Sequence, residues 1–291
     1  MFENIRSNKI KSGVIISIFI LMITLIVYYI CMMFDLGSIS ILIALGISII
    51  SAIASYWNCD KAVLAVNHAR PATQEEYQQF NNIIDGLMVS SGLSHRPDLY
   101  VIDDAQPNAF ATGRDPEHAV ICVTSALLDK LNYYELEGVL AHEMSHIYNY
   151  DIRLSAVVTV MVGMVVMLSD MFTRTFLFSD RDREGRGNAI LMVVGLICLI
   201  LSPIFAQLLQ LAVSRKREFL ADATAVKFTR NPDGLISALI KISEDPNELS
   251  VANKATENMY IANPFRKENV KNLFSTHPSI EDRIEALRNF K

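Results

Sequence analysis

The sequence predicts a mainly helical α+β integral membrane protein, in which two apolar hairpins carry a small sheet and a helix bearing the pattern H-E-x-x-H. Three observations predict it. Hydrophobic residues make up 51% of the 291 positions and the mean hydropathy is +0.28, too apolar for an ordinary soluble chain, so part of the protein lies in lipid. Long apolar runs, not linkers or repeats, punctuate the chain. The β-prone runs fall between residues 98 and 124 and lead into His142-Glu143-Met144-Ser145-His146.

Arg6, Lys9 and Lys11 mark residues 1–12 as a cytosolic N-terminus, after which Gly13 to Phe34 runs without a charge. At about 1.5 Å per residue this run reaches roughly 30 Å, enough to cross a bilayer. It is longer than a cleaved leader's apolar core and lacks a small-residue cleavage site. Beyond the turn at Asp35, Gly37 to Trp57 forms a second uncharged run, with Tyr56 and Trp57 as interface anchors. Both ends of this 13–57 hairpin face one side, and the basic N-terminus makes that side the cytosol.

Residues 58–153 read as a cytosolic α/β piece. Thr73 to Ser91 has helical spacing after Pro71, with Thr73 as N-cap. Asp98 to Asp103, Gln106 to Thr112 and Ala119 to Thr124 read as strands, the last two joined by a turn at Gly113-Arg114-Asp115-Pro116. An exposed strand at the sheet edge could pair with an extended peptide, because its free amides and carbonyls fit any backbone. A long helix starts at Tyr133, and its pattern continues into a third apolar run, Leu154 to Ser169. That run spans only about 24 Å, marginal for a bilayer. The fourth, Ala189 to Val213, is long enough, with a kink expected at Pro203 and a protein-facing side for Gln207 and Gln210. The second hairpin, 154–213, returns the chain to the side it left. Residues 214–291 then form a cytosolic helical part, with turns at Asn231-Pro232 and Asp245-Pro246 and a last helix capped by Ser279.

His142 and His146 lie four apart on one helical face, so both imidazoles can reach one zinc ion at about 2.0–2.1 Å. Glu143 is turned by about 100° from His142, beside the metal, where a general base would take a proton from a water whose pKa the metal lowers to about 7. The second hairpin brings Ser214 to Asp222 back to this face. Glu218 and Asp222 are also four apart, so one can ligate while the other orients a ligand. Two His and one Glu leave a fourth position open, as hydrolytic zinc does and a structural staple does not.

Composition excludes other classes. A formal net charge of -5, without basic-aromatic interleaving, argues against nucleic acid. Cys31, Cys59, Cys122 and Cys198 form no C-x-x-C pair and read as small buried hydrophobes.

Together these residues resemble the HtpX-type membrane metalloproteases, relatives of the CaaX prenyl endopeptidases within the gluzincin superfamily. The resemblance runs over nearly the whole chain, through Pro107-Asn108-Ala109-Phe110-Ala111-Thr112-Gly113, Glu137 to Asp151, Ser214 to Asp222, and Thr276-His277-Pro278-Ser279 with Arg283. It implies a zincin-like metalloprotease domain and a multi-pass protein of the cell membrane. The implied enzyme is a zinc endopeptidase that uses no nucleotide and degrades misfolded or damaged membrane proteins from the cytosolic face, as part of quality control and the stress response. By the same resemblance His142, His146 and Glu218 hold one Zn2+, Glu143 is the base and Asp222 supports the ligands. Asn108 lies on the strand presenting substrate backbone, and His277 and Arg283 are candidates for stabilising an oxyanion. Two other readings stay open. A site-2-type intramembrane protease would draw a ligand from Asn231-Pro232-Asp233-Gly234, and a non-proteolytic binding module would keep zinc as a staple.

Overall fold

The computed structural model describes residues 2–33, 36–74, 77–160, 215–251, 256–265 and 278–290. Helix α1 spans Phe2–Met33 and α2 Ser40–Trp57, joined through a 3-10 turn at Gly37–Ile39. The segments Arg6–Tyr28 and Gly37–Trp57 have mean hydropathies of 2.5 and 2.2 and are long enough to cross a membrane. Their packing is inside-out relative to a soluble helix pair. The α2 residues buried against α1 are Ser40, Ala44, Ser48 and Ala52, a small residue every fourth position, which lets two backbones approach closely in lipid. Across the seam Thr24 Oγ1 donates to Ser48 Oγ at 2.9 Å. Large apolar side chains such as Leu21, Leu42 and Ile50 point outward instead. Helix α1 starts well before the uncharged run, so the basic residues read as an N-terminal tail lie on the helix itself.

Helix α3, Cys59–Val66, leads to β1, Arg70–Pro71, and then to α4, Gln78–Ser91. The sequence expectation of a helix from Thr73 is corrected here. Strand β1 pairs with β2, Asp98–Ile102, and Ala72 N–H still bonds Leu99 O at 2.9 Å, so this pairing continues past Pro71. Strands β3, Ala109–Gly113, and β4, Ala119–Thr124, form a hairpin through the expected turn at 113–116. There the Asp115 carboxylate accepts from the amides of Glu117 and His118. The sheet order is β1-β2-β4-β3, with β2 and β4 parallel and the other pairs antiparallel. Every residue of β3 and β4 is buried because both faces of the sheet are covered. Ala109, Ala111 and Ile121 face a core shared with α4 and the H-E-x-x-H helix, while Phe110 and Cys122 face Val63, Leu249 and Tyr260.

Helices α5, Ser125–Lys130, and α6, Tyr133–Tyr148, follow. Asn132 and Glu135 close a capping box at the start of α6. The expected continuous helix into the third apolar run is interrupted: α6 stops at Tyr148, Tyr150 adopts φ 60°, and helical structure resumes over residues 151–160. The rest of the third run and all of the fourth lie outside the described residues. Helices α7, Arg215–Thr229, α8, Pro232–Glu244, and α9, Ile280–Arg288, follow among the described residues. Ser279 caps α9, as the sequence indicates, and Asn231, read from the sequence as part of a turn, caps α8. Helices α6 and α8 meet at glycines. A Cβ on Gly138 would stand 2.7 Å from Leu235 N and one on Gly234 would stand 2.5 Å from Tyr134 O, so neither position accepts a side chain without a shift of backbone.

Candidate active site

The site lies where α6 passes beneath β3 and α7 crosses it. On α6 the four-residue spacing delivers His142 and His146 to one point, with their Nε2 atoms 3.2 Å apart and their rings perpendicular. From α7, Glu218 places Oε2 3.7 Å from His142 Nε2 and Oε1 3.6 Å from His146 Nε2. These three residues offer ligand atoms within 4.8 Å of one another and form the group that could hold a metal ion among the described residues.

Each histidine is held from behind by a carboxylate. Asp222 Oδ1 lies 2.9 Å from His142 Nδ1, and Asp151 Oδ2 lies 3.2 Å from His146 Nδ1. A carboxylate at Nδ1 fixes the proton there and leaves the lone pair on Nε2. Both lone pairs then face each other and the Glu218 carboxylate inside a buried pocket, an assembly of acceptors that a divalent cation satisfies. The donor set therefore fits the metal the sequence predicts.

Arg283 is 1% exposed and grips Asp222 through Nε at 2.9 Å and Nη2 at 2.6 Å. Its Nη1 donates to Ile261 O at 3.2 Å and lies 3.8 Å from Glu218 Oε2, while Nη2 is 3.3 Å from His142 Nδ1. The guanidinium thus braces both acids of α7. Burial raises the Asp222 pKa, but the Arg283 charge and the His142 hydrogen bond outweigh it and hold the carboxyl below its usual range. For His142, burial and then the Arg283 charge lower the pKa. His146 is the opposite case: burial resists protonation, yet the Asp151 hydrogen bond and the Glu218 charge raise it to about 9, so an ion binding at Nε2 must displace a proton there.

Glu143 is 1% exposed, and its Oε1 has no hydrogen-bond partner among the described residues. Burial raises its pKa to about 7, with Glu218 adding to the shift and His146, Arg283 and the Ala111 amide opposing it. A carboxyl poised near neutrality can take up and release a proton.

Strand β3 forms the wall above. Thr124 N–H bonds Asn108 O at 2.9 Å, so Asn108 turns its backbone toward β4 and the alternating residues Ala109, Ala111 and Gly113 turn theirs toward the free edge. The first of these is taken, since Ile261 N–H bonds Ala109 O at 2.9 Å. Asn108 itself lies just ahead of β3, fully buried, and its carboxamide donates to Ala262 O at 3.0 Å.

His142, Glu143, His146, Glu218, Asp222 and Arg283 are therefore brought together, Asn108 is close by, and His277 lies outside the described residues. Asp233, the ligand of the intramembrane alternative, is exposed on the first turn of α8 and outside the metal group. Sequence reasoning took Asp151 only as the end of the motif stretch and assigned no role to Asn8, Ala111 or Ile261.

A helix-borne H-E-x-x-H joined by an acidic residue from a second helix, under an edge strand, defines a peptidase site. The model of Peptidase family M48 matches residues 74–291, and the chain belongs to that family. Relatives named "Protease HtpX homolog" match nearly end to end. The protein from Dictyoglomus thermophilum is 46% identical over 99% of this chain and 94% of its own. That from Thermoanaerobacter pseudethanolicus is 40% identical, covering 99% and 97%, and that from Lactobacillus helveticus 38%, covering 99% of each. Among solved structures, Ste24p of S. mikatae aligns with 99% of this chain and 67% of its own, at 18% identity and a TM-score of 0.49.

Proposed function

We propose that this M48 peptidase is a membrane-bound, zinc-dependent endopeptidase that hydrolyses peptide bonds of misfolded or damaged membrane proteins at the cytosolic face. The observation that carries the reading is the convergence of His142, His146 and Glu218 beside a buried, unpartnered Glu143 oxygen. His142, His146 and Glu218 would hold the ion. The chemistry zinc supplies when bound is polarisation of the scissile carbonyl and activation of water. Glu143 accepts a proton from the attacking water and returns it to the departing amine nitrogen. Asp222 and Asp151 fix the ring protons of the two histidines, and Arg283 holds Asp222 and Glu218 in register. The outward carbonyl of Ala111, whose amide touches Glu143, and the backbone of Gly113 receive an extended substrate, and Asn108 secures the end of that edge by tying down Ala262. Side chains play no part in such pairing, which suits a protease of unfolded segments. Arg6, Lys9 and Lys11 at the start of α1 favour a cytosolic placement of the site.

The test is zinc content and casein cleavage of the detergent-purified protein beside Glu143→Gln. One zinc per chain in both is expected, with cleavage lower by about 10²–10⁴-fold in the variant. Full cleavage by Glu143→Gln would refute the assignment of the base, and zinc in both with cleavage in neither would favour a structural zinc.

A further inference from the structure

Helix α1 does more than anchor the chain, because its cytosolic end reaches the ligand helix. Asn8 is 3% exposed, and its Nδ2 donates to Asp151 Oδ1 at 2.7 Å and to Asn149 O at 3.2 Å. Both hydrogens of that amide thus have acceptors. The other oxygen of the same carboxylate, Asp151 Oδ2, is the one 3.2 Å from His146 Nδ1. Arg217 approaches Oδ1 from α7, with Nη1 at 3.8 Å. A carboxylate touched only by His146 could swivel; one whose other oxygen is pinned cannot. The neighbouring residues make the same junction, since the Lys9 ammonium sits 4.4 Å over the ring of Tyr150, the residue whose φ of 60° separates α6 from the next helical stretch. That backbone break is what brings Asp151 back under His146.

We infer that Asn8 is a positioning residue of the metal centre: acting through Asp151, it fixes the ring orientation and tautomer of His146. The first apolar helix is then a structural part of the site. This rests on the zinc reading above. Partners one shell out from a metal ligand typically change metal affinity by about 10–100-fold when removed, and an amide acting through such a partner belongs at the low end.

The experiment measures zinc dissociation constants of the full-length protein in detergent, stripped of metal and titrated against a chelating dye. Asn8→Ala is expected to weaken zinc about tenfold and Asp151→Ala by about 10–100-fold. The double variant is expected to match Asp151→Ala within about twofold, because the two act through one carboxylate. An affinity of Asn8→Ala within about twofold of wild type, or a double variant whose loss is the product of the two single losses, would overturn the inference. If Asn8→Ala fails to accumulate, Asn8→Leu, which keeps the branching at Cγ and removes the donor, is judged by the same two criteria. Wild-type protein that binds no zinc would refute the zinc reading itself, a separate outcome.

Discussion

At the scale of single residues, the site consists of buried polar groups that are tolerable only as a set. Arg283 and Asp222 are each 1% exposed, and removing one partner of such a pair strands a charge in the interior. Arg283→Met should therefore cost about 3–5 kcal/mol of stability, measured as a lowered unfolding midpoint in detergent. Arg283→Lys should recover little, because an ammonium cannot reproduce the two-pronged contact with the carboxylate. Wild-type stability of Arg283→Met would show that the pair does not hold α7 against α9. The sequence made part of this set legible. His142 with His146, and Glu218 with Asp222, follow from four-residue spacing on continuous helices. Asp151 does not, since five residues along an unbroken helix place it about 140° away from His146. Only the left-handed backbone at Tyr150 restores it, and no local pattern marks that break. Asn8 is further out of reach, separated from Asp151 by 143 positions.

At the scale of elements, local signals located the pieces and tertiary hydrogen bonds trimmed them. Strand β4 begins and ends where its β-prone run does, Ala119 to Thr124. Strand β3 starts at Ala109 instead of Gln106 because Gln106 and Asn108 spend their polar groups on Asp104, Asn247, Thr124 and Ala262. The joint between α6 and α8 makes a pH-dependent contribution. Glu135, 3% exposed, caps α6 and also accepts from Lys241 Nζ at 2.7 Å and Ser237 Oγ at 2.6 Å. Burial alone would raise its pKa, but the Lys241 and Ser237 hydrogen bonds and the Asn132 amide lower it below the usual range. A carboxyl whose folded pKa is depressed adds stability above its unfolded value, about 4.3, and that stability disappears as pH falls through the folded value. Glu135→Gln should thus be less stable than wild type at neutral pH, by about 1.5–3 kcal/mol for a hydrogen bond to charge. The gap should close on acidification below about pH 4. A gap that stays constant from pH 7 to pH 3 would mean that Glu135 acts by shape alone.

At the scale of the whole molecule, α1 and α2 make sense only with lipid around them. Their shared seam is lined by Ser40, Ala44, Ser48 and Ala52 on one side and by Ile15, Phe19, Met22 and Ile26 on the other. Outside stand Leu21 at 61%, Leu42 at 69% and Ile50 at 68% exposure, a wider apolar surface than a water-soluble protein tolerates. Ile50 lies within α2, away from both ends, which makes it the position where the two environments give opposite answers. In water, an exposed isoleucine changed to lysine alters stability by no more than about 0.5 kcal/mol. In a bilayer, a lysine at the centre of a helix costs about 2.5–3.5 kcal/mol, roughly a hundredfold in an equilibrium constant. Ile50→Lys should therefore lower the unfolding midpoint of the protein in lipid nanodiscs and reduce the fraction that resists alkaline extraction from membranes. Ile50→Ala at the same position should leave the protein in the membrane fraction. Equal behaviour of Ile50→Lys and wild type would place this face of α2 outside the bilayer. The first hairpin would then pack as a soluble arm, and its large outer side chains would need a protein partner instead.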